Sequence, residues 1–272
     1  MTVEARRVID VLTGSPSDTN PEARRARLAA DIASAPDADL LVLPFMTLSR
    51  PFWTVIDRAA GFKHGEREPF PSIAAIASAV KERGIPTLAT VYAVVAEGVF
   101  YSTAVMIDAD GSSRAFYRQE HAVNEPGWHE RLYFQPGVNA APALIDNRGF
   151  SIGLLLGGDL WIPEAARRLR LAGATALLSV SGAPDSMREC VHALAQARSI
   201  ENGVPVIWSS RDGTGLKARQ NGVAESMDLH PWYQVTLDPA AIRSSLNHND
   251  PLRLRRPRLY QSLVKTWEES AG

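Results

Sequence analysis

Cysteine is nearly absent from this chain of 272 residues: Cys190 stands alone, which excludes an intramolecular disulfide and any Cys-rich metal site. Lysine is almost as scarce. Only Lys63, Lys81, Lys217 and Lys265 occur among 29 basic residues, so no lysine falls between positions 81 and 217. Charge of one sign is missing too, because 29 basic residues against 30 acidic ones leave a net charge of -1. That balance gives no electrostatic reason to expect nucleic acid or an anionic membrane as a partner. Long apolar runs are also lacking. The most apolar stretch, Ser151–Leu156, is strand-length and ends in Gly157-Gly158-Asp159, far short of the roughly 20 residues of a membrane span. Met1 to Asp10 carries acids and arginines where a targeting segment would carry an apolar run. The expectation is a cytoplasmic chain with neither nucleic acid nor membrane as a partner.

What is present is an ordinary globular composition, 45% hydrophobic and 22% charged. Apolar runs of strand length alternate with segments of helical period. The strand-like runs are Val8–Leu12, Leu40–Leu43, Thr87–Ala93, Tyr101–Ile107, Ala143–Asp146, Ser151–Leu156, Ala176–Val180 and Val204–Trp208. Helical pattern covers Pro21–Ala35, Ser72–Arg83, Pro163–Ala172 and Ser186–Asn202. Asn20 before Pro21 is a helix start, Ser186-Met187-Arg188-Glu189 has the capping-box pattern, and Gly203 suits a left-handed helix end. Asp110-Gly111 and Asn147-Arg148-Gly149 sit between apolar runs and read as hairpin turns. The pattern is α/β with antiparallel pairs mixed in. No repeat, low-complexity tract or linker divides the chain, so a single domain over residues 1–272, with its core at 8–263, is expected.

Several motifs then carry a family resemblance. Ala38-Asp39-Leu40-Leu41-Val42-Leu43-Pro44 resembles the first motif of the nitrilase, or carbon–nitrogen hydrolase, superfamily. Tyr117-Arg118-Gln119-Glu120-His121, with Glu130-Arg131-Leu132-Tyr133-Phe134-Gln135-Pro136-Gly137 after it, resembles the second. The run from Ile152 through Gly157-Gly158-Asp159-Leu160-Trp161 to Arg167 resembles the third. Ala197–Gly203 is similar to a later helix-to-strand motif, and Arg255-Arg256-Pro257-Arg258-Leu259-Tyr260 to the C-terminal signature. The resemblance implies a four-layer αββα sandwich that pairs through helices as a homodimer. It also implies attack by a Cys thiolate on amide, nitrile or carbamoyl carbon, with Glu as base and Lys stabilising the oxyanion.

At those three positions this chain departs from the family. Phe45 stands where the resemblance places Glu, Gln119 where it places Lys, and Gly157 where it places the nucleophilic Cys. Gly157 can form no covalent intermediate, Phe45 can move no proton, and Gln119 offers only a neutral hydrogen bond. Cys190 lies far along the chain, in the helical run from Ser186, and is expected to be a small buried hydrophobe there. Lys81 reads as part of a solvated helix face, and Lys217 is the one lysine considered for the pocket.

Glu130 matches a second family glutamate, here within Trp128-His129-Glu130-Arg131, and is a candidate for acid–base work. Asp159 is another such candidate, or a buried hydrogen-bonding residue; Trp161 borders the ligand in the family, or simply packs. His121 and His129 are the remaining proton-transfer candidates, each with a structural role as the plainer reading. No metal-ligand spacing is present, and neither metal nor cofactor is expected. Gly157 and Gly158 should lower the pocket floor and Phe45 partly refill it, leaving an apolar wall opposite Gln119, Glu130 and Asp159 for a flat or apolar small molecule. Three functions fit. One is a pseudoenzyme that keeps the pocket for small-molecule binding, regulation or assembly. Another is a repurposed enzyme using Glu130 or Asp159 for cyclisation, condensation or elimination, as in biosynthesis. The third is residual hydrolysis by a water held on Glu130.

Overall fold

A computed structural model gives the fold and describes residues 7–12, 20–147, 150–211, 215–227 and 232–264. In chain order the elements are β1 (Arg7–Leu12), α1 (Pro21–Ala33), β2 (Leu40–Val42), α2 (Arg58–Phe62), α3 (Pro71–Arg83), β3 (Thr87–Ala96), β4 (Val99–Ile107) and β5 (Ser113–Arg118). The second half continues with β6 (Leu144–Asn147), β7 (Phe150–Leu156), α4 (Pro163–Leu171), β8 (Ala176–Ser181), α5 (Arg188–Asn202) and β9 (Val206–Ser210). It closes with β10 (Gly215–Ala218), β11 (Ala224–Met227), β12 (Trp232–Leu237) and α6 (Pro239–Asn249).

The strands form two six-stranded sheets, ordered β12-β1-β2-β3-β4-β5 and β11-β10-β9-β8-β7-β6. Each has a parallel centre, β1-β2-β3 in one and β7-β8-β9 in the other, with antiparallel strands on its flanks. The short run Leu40–Leu43 explains the layering. Leu40 and Val42 enter the core between the sheets, while Leu41 and Leu43 join Leu28, Ile32, Ile73, Ile76 and Val80 of α1 and α3 on the outer face. Side chains of a strand alternate between faces, so an unbroken apolar run is buried on both. On the second sheet, Ala165, Ala166 and Leu169 of α4 and Val191 and Ala195 of α5 supply the outer layer. Each such Leu, Ile or Val withdrawn from water stabilises the fold by about 1.5–3 kcal/mol. The result is the expected four-layer αββα sandwich.

Local signals mostly hold. The Asn20 side chain accepts the Glu22 amide at 2.8 Å, and Gly203 ends α5 with φ 66°. Gly111 turns the β4–β5 hairpin with φ 86°; residues 148 and 149 of the second hairpin lie outside the described residues. Three expectations need correction. The capping box at Ser186 does not form: a short 3-10 turn covers Asp185–Met187, and α5 starts at Arg188 without a side-chain cap. The strand expected at Val204–Trp208 begins two residues later, because Pro205 has no amide to give the ladder. Cys190 is exposed, since the buried stripe of α5 runs through Val191, Ala195, Arg198, Ser199 and Asn202 and leaves it on the outer face. No helix among the described residues is long and apolar enough to cross a membrane.

Candidate functional site

Open α/β sheets place ligands beyond the carboxyl ends of their parallel strands. Two such ends meet here. Chain leaving β2 reaches Phe45 after Leu43-Pro44, and β7 runs directly into Gly157. The last residue of β5 precedes Gln119, and a 3-10 turn over Glu130–Leu132 begins at Glu130. Four positions singled out in the sequence thus come from separate elements of both sheets into one region.

Gln119 and Glu130 are both buried and joined to each other. Gln119 Nε2 donates to Glu130 Oε2 at 2.6 Å and to the His121 carbonyl at 2.8 Å. Glu130 Oε2 also accepts the Val123 amide at 3.1 Å, while Oε1 has no hydrogen-bond partner. Burial pushes the Glu130 pKa up to about 7, against the pull of the Val123 and Gln119 donors and of the nearby Trp128 indole. The indole Nε1 lies outside hydrogen-bonding geometry and is itself unpartnered. A carboxyl with one idle oxygen and a pKa near neutrality can hold or release a proton, provided something reaches it.

Nothing has room to. Gly157 has φ 47°, and a Cβ placed on it would lie 2.5 Å from Gln119 Nε2 and closer still to Glu130 Oε1. A Cβ on Gly158 would lie 2.6 Å from Val123 Cγ2 and closer still to the His121 carbonyl. The two glycines have let the Gln119–Val123 segment and Glu130 settle onto the end of β7. Phe45, fully buried, fills the other side. Its ring meets Trp53 edge-on at 5.2 Å, and both rings press on Gly182, where a Cβ would come within 2.8 Å of either. The expected apolar cleft is therefore corrected: the space is packed, because side chains from both sheets moved into it. The described cavities, of about 470, 370, 430 and 410 Å³, are lined by other residues.

Asp159 is buried and fully engaged. Its Oδ1 accepts the Glu120 amide at 3.2 Å, the His121 amide at 2.9 Å and His121 Nδ1 at 2.9 Å. Its Oδ2 accepts Tyr117 Oη at 2.8 Å and the Leu156 amide at 3.0 Å. A carboxylate offers about four lone-pair positions, so no capacity remains for a substrate. The hydrogen bond from Asp159 holds the His121 pKa above its ordinary value, and burial with the Asp159 charge pushes the Tyr117 hydroxyl up. Trp161 is half-buried and meets Trp128 edge-on at 6.1 Å, its own Nε1 unpartnered. Arg198, from the later helical motif, fixes this loop by donating to the Leu160 and Trp161 carbonyls at 3.1 and 3.0 Å.

Other candidates lie apart. His129 reaches only Asn124, at 3.4 Å, and belongs to the surface. Lys81 is exposed, as expected. Lys217 does not face this region; it sits on β10 and donates to the Thr236 carbonyl at 3.2 Å. Lys265 lies outside the described residues. Among the described residues no group of three or more His, Cys, Asp or Glu side chains is placed to hold a metal. The sequence reading missed Arg211. This buried side chain donates to the Phe45, Met46 and Ser49 carbonyls at 3.2, 2.6 and 2.6 Å and lies over the Trp53 ring. It steadies Met46, whose φ of 44° is costly for a residue with a side chain and whose amide donates to Thr90 Oγ1 at 2.5 Å. No spacing pattern marks Arg211, because its partners stand more than 160 residues earlier.

Comparison with known proteins agrees with this layout. The profile of the family described as carbon-nitrogen hydrolase matches residues 11–240. "Hydrolase in pqqF 5'region" of Pseudomonas protegens is 30% identical over 250 residues, covering 88% of this chain and 85% of that protein. "N-carbamoylputrescine amidase" of Solanum tuberosum is 28% identical over 162 residues, covering 57% of this chain, and the match spans about half of the potato protein, 53%. The crystal structure of a carbon-nitrogen hydrolase from Helicobacter pylori G27 superposes with a TM-score of 0.82 at 21% identity, covering 96% of this chain and 99% of that one. That likeness concerns the fold.

Proposed function

The chain belongs to the carbon–nitrogen hydrolase family, and from that premise we propose that it is a member without thiol-dependent hydrolysis: a pseudoenzyme whose fold serves binding, regulation or assembly. Carried over by motif, the family's base, oxyanion cation and nucleophile fall on Phe45, Gln119 and Gly157. None can take its role, and Cys190, exposed on α5, is no substitute. The observation that carries the reading is the contact at position 157. There the Gln119–Glu130 pair occupies the volume in which any side chain, and so any nucleophile, would begin. An unused slot left open would suit a new ligand; one filled by paired side chains suits a retired centre. Any small molecule then binds outside it. A homodimer paired through helices, and a cytoplasmic location, belong to the same proposal.

A second reading rests on Glu130. Its pKa near 7 and idle Oε1 fit acid–base chemistry such as cyclisation, condensation or elimination, without a covalent intermediate. Asp159 contributes to that reading only as the group that orients His121.

The test is ammonia release from N-carbamoyl amines and short aliphatic amides by the purified chain, beside Cys190→Ser and Glu130→Gln. All three should stay at the uncatalysed rate. Release by the unaltered chain overturns the pseudoenzyme reading, and release lost only in Glu130→Gln moves the assignment to the second one.

A further inference from the structure

Lys217 stands in a groove that the reaction centre does not use. It is the third residue of β10, with Leu216 and Ala218 on either side turned into the core, so its stem is sent to the opposite face. That face opens on a groove of about 370 Å³ between β10, β12 and α6, with Pro205, Leu237, Ala241 and Ile242 as its apolar walls. The size suits a small molecule.

The ammonium lacks a counter-charge. Glu225 is its cross-strand neighbour on β11, but that carboxylate pairs with Arg219. Asp238 lines the groove, yet its Oδ1 accepts the Ala240 and Ala241 amides at the start of α6, at 3.0 and 3.1 Å. Among the described residues no carboxylate lies within ion-pair distance of Lys217, and its one hydrogen bond goes to the Thr236 carbonyl. Burial and the neighbouring Arg219 charge both favour the neutral amine, holding the pKa below its ordinary value. A half-buried amine without an anion, beside a second cation and apolar walls, has the surroundings of an activated nucleophile.

We propose that Lys217 is a modification site for small aldehydes that carry a carboxylate, which it captures as an imine while Arg219 draws the anion. The neutral Nζ attacks the carbonyl carbon, forming a C–N bond and a carbinolamine. The carbinolamine C–O bond then breaks, and the carbonyl oxygen leaves as water with the two amine hydrogens. No oxidant or reductant is needed, and the linkage is reversible.

The chain's four lysines make the test direct. Full-length protein is incubated with glyoxylate at neutral pH, the imine is trapped with cyanoborohydride, and labelled peptides are quantified by mass spectrometry. Lys217 should label on the order of tenfold faster than exposed Lys81, with its rate rising at lower pH. Acetaldehyde, which lacks the anion, should show less preference, and Arg219→Gln should lower the glyoxylate rate at Lys217 but not the acetaldehyde rate. Lys217→Arg keeps the positive charge and should remove the fast site while leaving the melting temperature unchanged. Equal labelling of Lys217 and Lys81 overturns the proposal. Equal preference for the two aldehydes overturns the role of Arg219.

Discussion

Replacing Glu130 by Gln should change how stability depends on pH more than it changes stability itself. The folded carboxyl has a pKa of about 7, against 4.5 in the unfolded chain. Each unit of difference is worth about 1.4 kcal/mol, so this group alone accounts for roughly 3 kcal/mol. Its sign follows from proton uptake. Below the unfolded value both states are protonated and the group is neutral in the balance. Between the two values the unfolded state ionises while the folded state holds its proton, so stability falls as pH rises, and above about 7 the full loss is reached. Glutamine cannot ionise. It retains an acceptor for Gln119 and Val123 and places an amide where Oε1 has no partner now. At pH 5 the variant should match the parent or fall about 1 kcal/mol below it, the ordinary cost of an unsatisfied buried group. At pH 8.5 it should be the more stable of the two. Urea unfolding at half-unit steps between pH 5 and 8.5 reads the crossing. His121 also loses stabilisation with rising pH, above its unfolded value, but it is common to both proteins and cancels in the difference. Parallel curves would refute the reasoning, because they would mean that Glu130 enters the fold already ionised.

Three further outcomes follow from the same geometry. Gly157→Ala should cost about 1–2 kcal/mol for the left-handed backbone and about 1–3 kcal/mol for parting Gln119 from Glu130; an unchanged melting temperature would contradict the close approach at this position. Phe45→Ala should destabilise by about 3–5 kcal/mol and open a hollow beside Trp53 that takes up small apolar probes, which tryptophan fluorescence can follow. Cys190 should react with iodoacetamide in the native state as fast as a free thiol, with no change in unfolding midpoint, whereas a slow reaction that needs denaturant would place it inside.

The layering was legible because it rests on short-range pattern: Leu40–Leu43 is apolar at every step, and a strand can bury every step only between two layers. Helix ends at Asn20 and Gly203 were legible for the same local reason. The boundary at Ser186 was not, since Pro184 and a 3-10 turn take the place where a capping box would close. The four-residue strands β10 and β11 carry too few side chains to show a period, and they exist because β9 offers an edge. At the site, the sequence located Phe45, Gln119, Glu130 and Gly157 through their motifs and told which atoms each lacks. It did not tell what enters the space that a missing side chain leaves. Occupancy is decided by the mutual fit of Gln119 with Glu130 and of Phe45 with Trp53, pairs whose meeting depends on how the two sheets stack.

The closeness at Gly157 bears on ancestry as well as on energy. A single codon change that returned a thiol to this position would meet Glu130 and Gln119 before it met a substrate, in a backbone conformation that disfavours it. Returning the cation at 119 first would set a longer charged side chain against a carboxyl that now holds its proton, and returning the acid at 45 would bury a second carboxyl against Trp53. Each reversal is unfavourable until the others are in place. The descent into this packing is therefore a ratchet: drift can carry the lineage onward to other surfaces of the sandwich, while the road back to its starting chemistry runs only through several simultaneous steps.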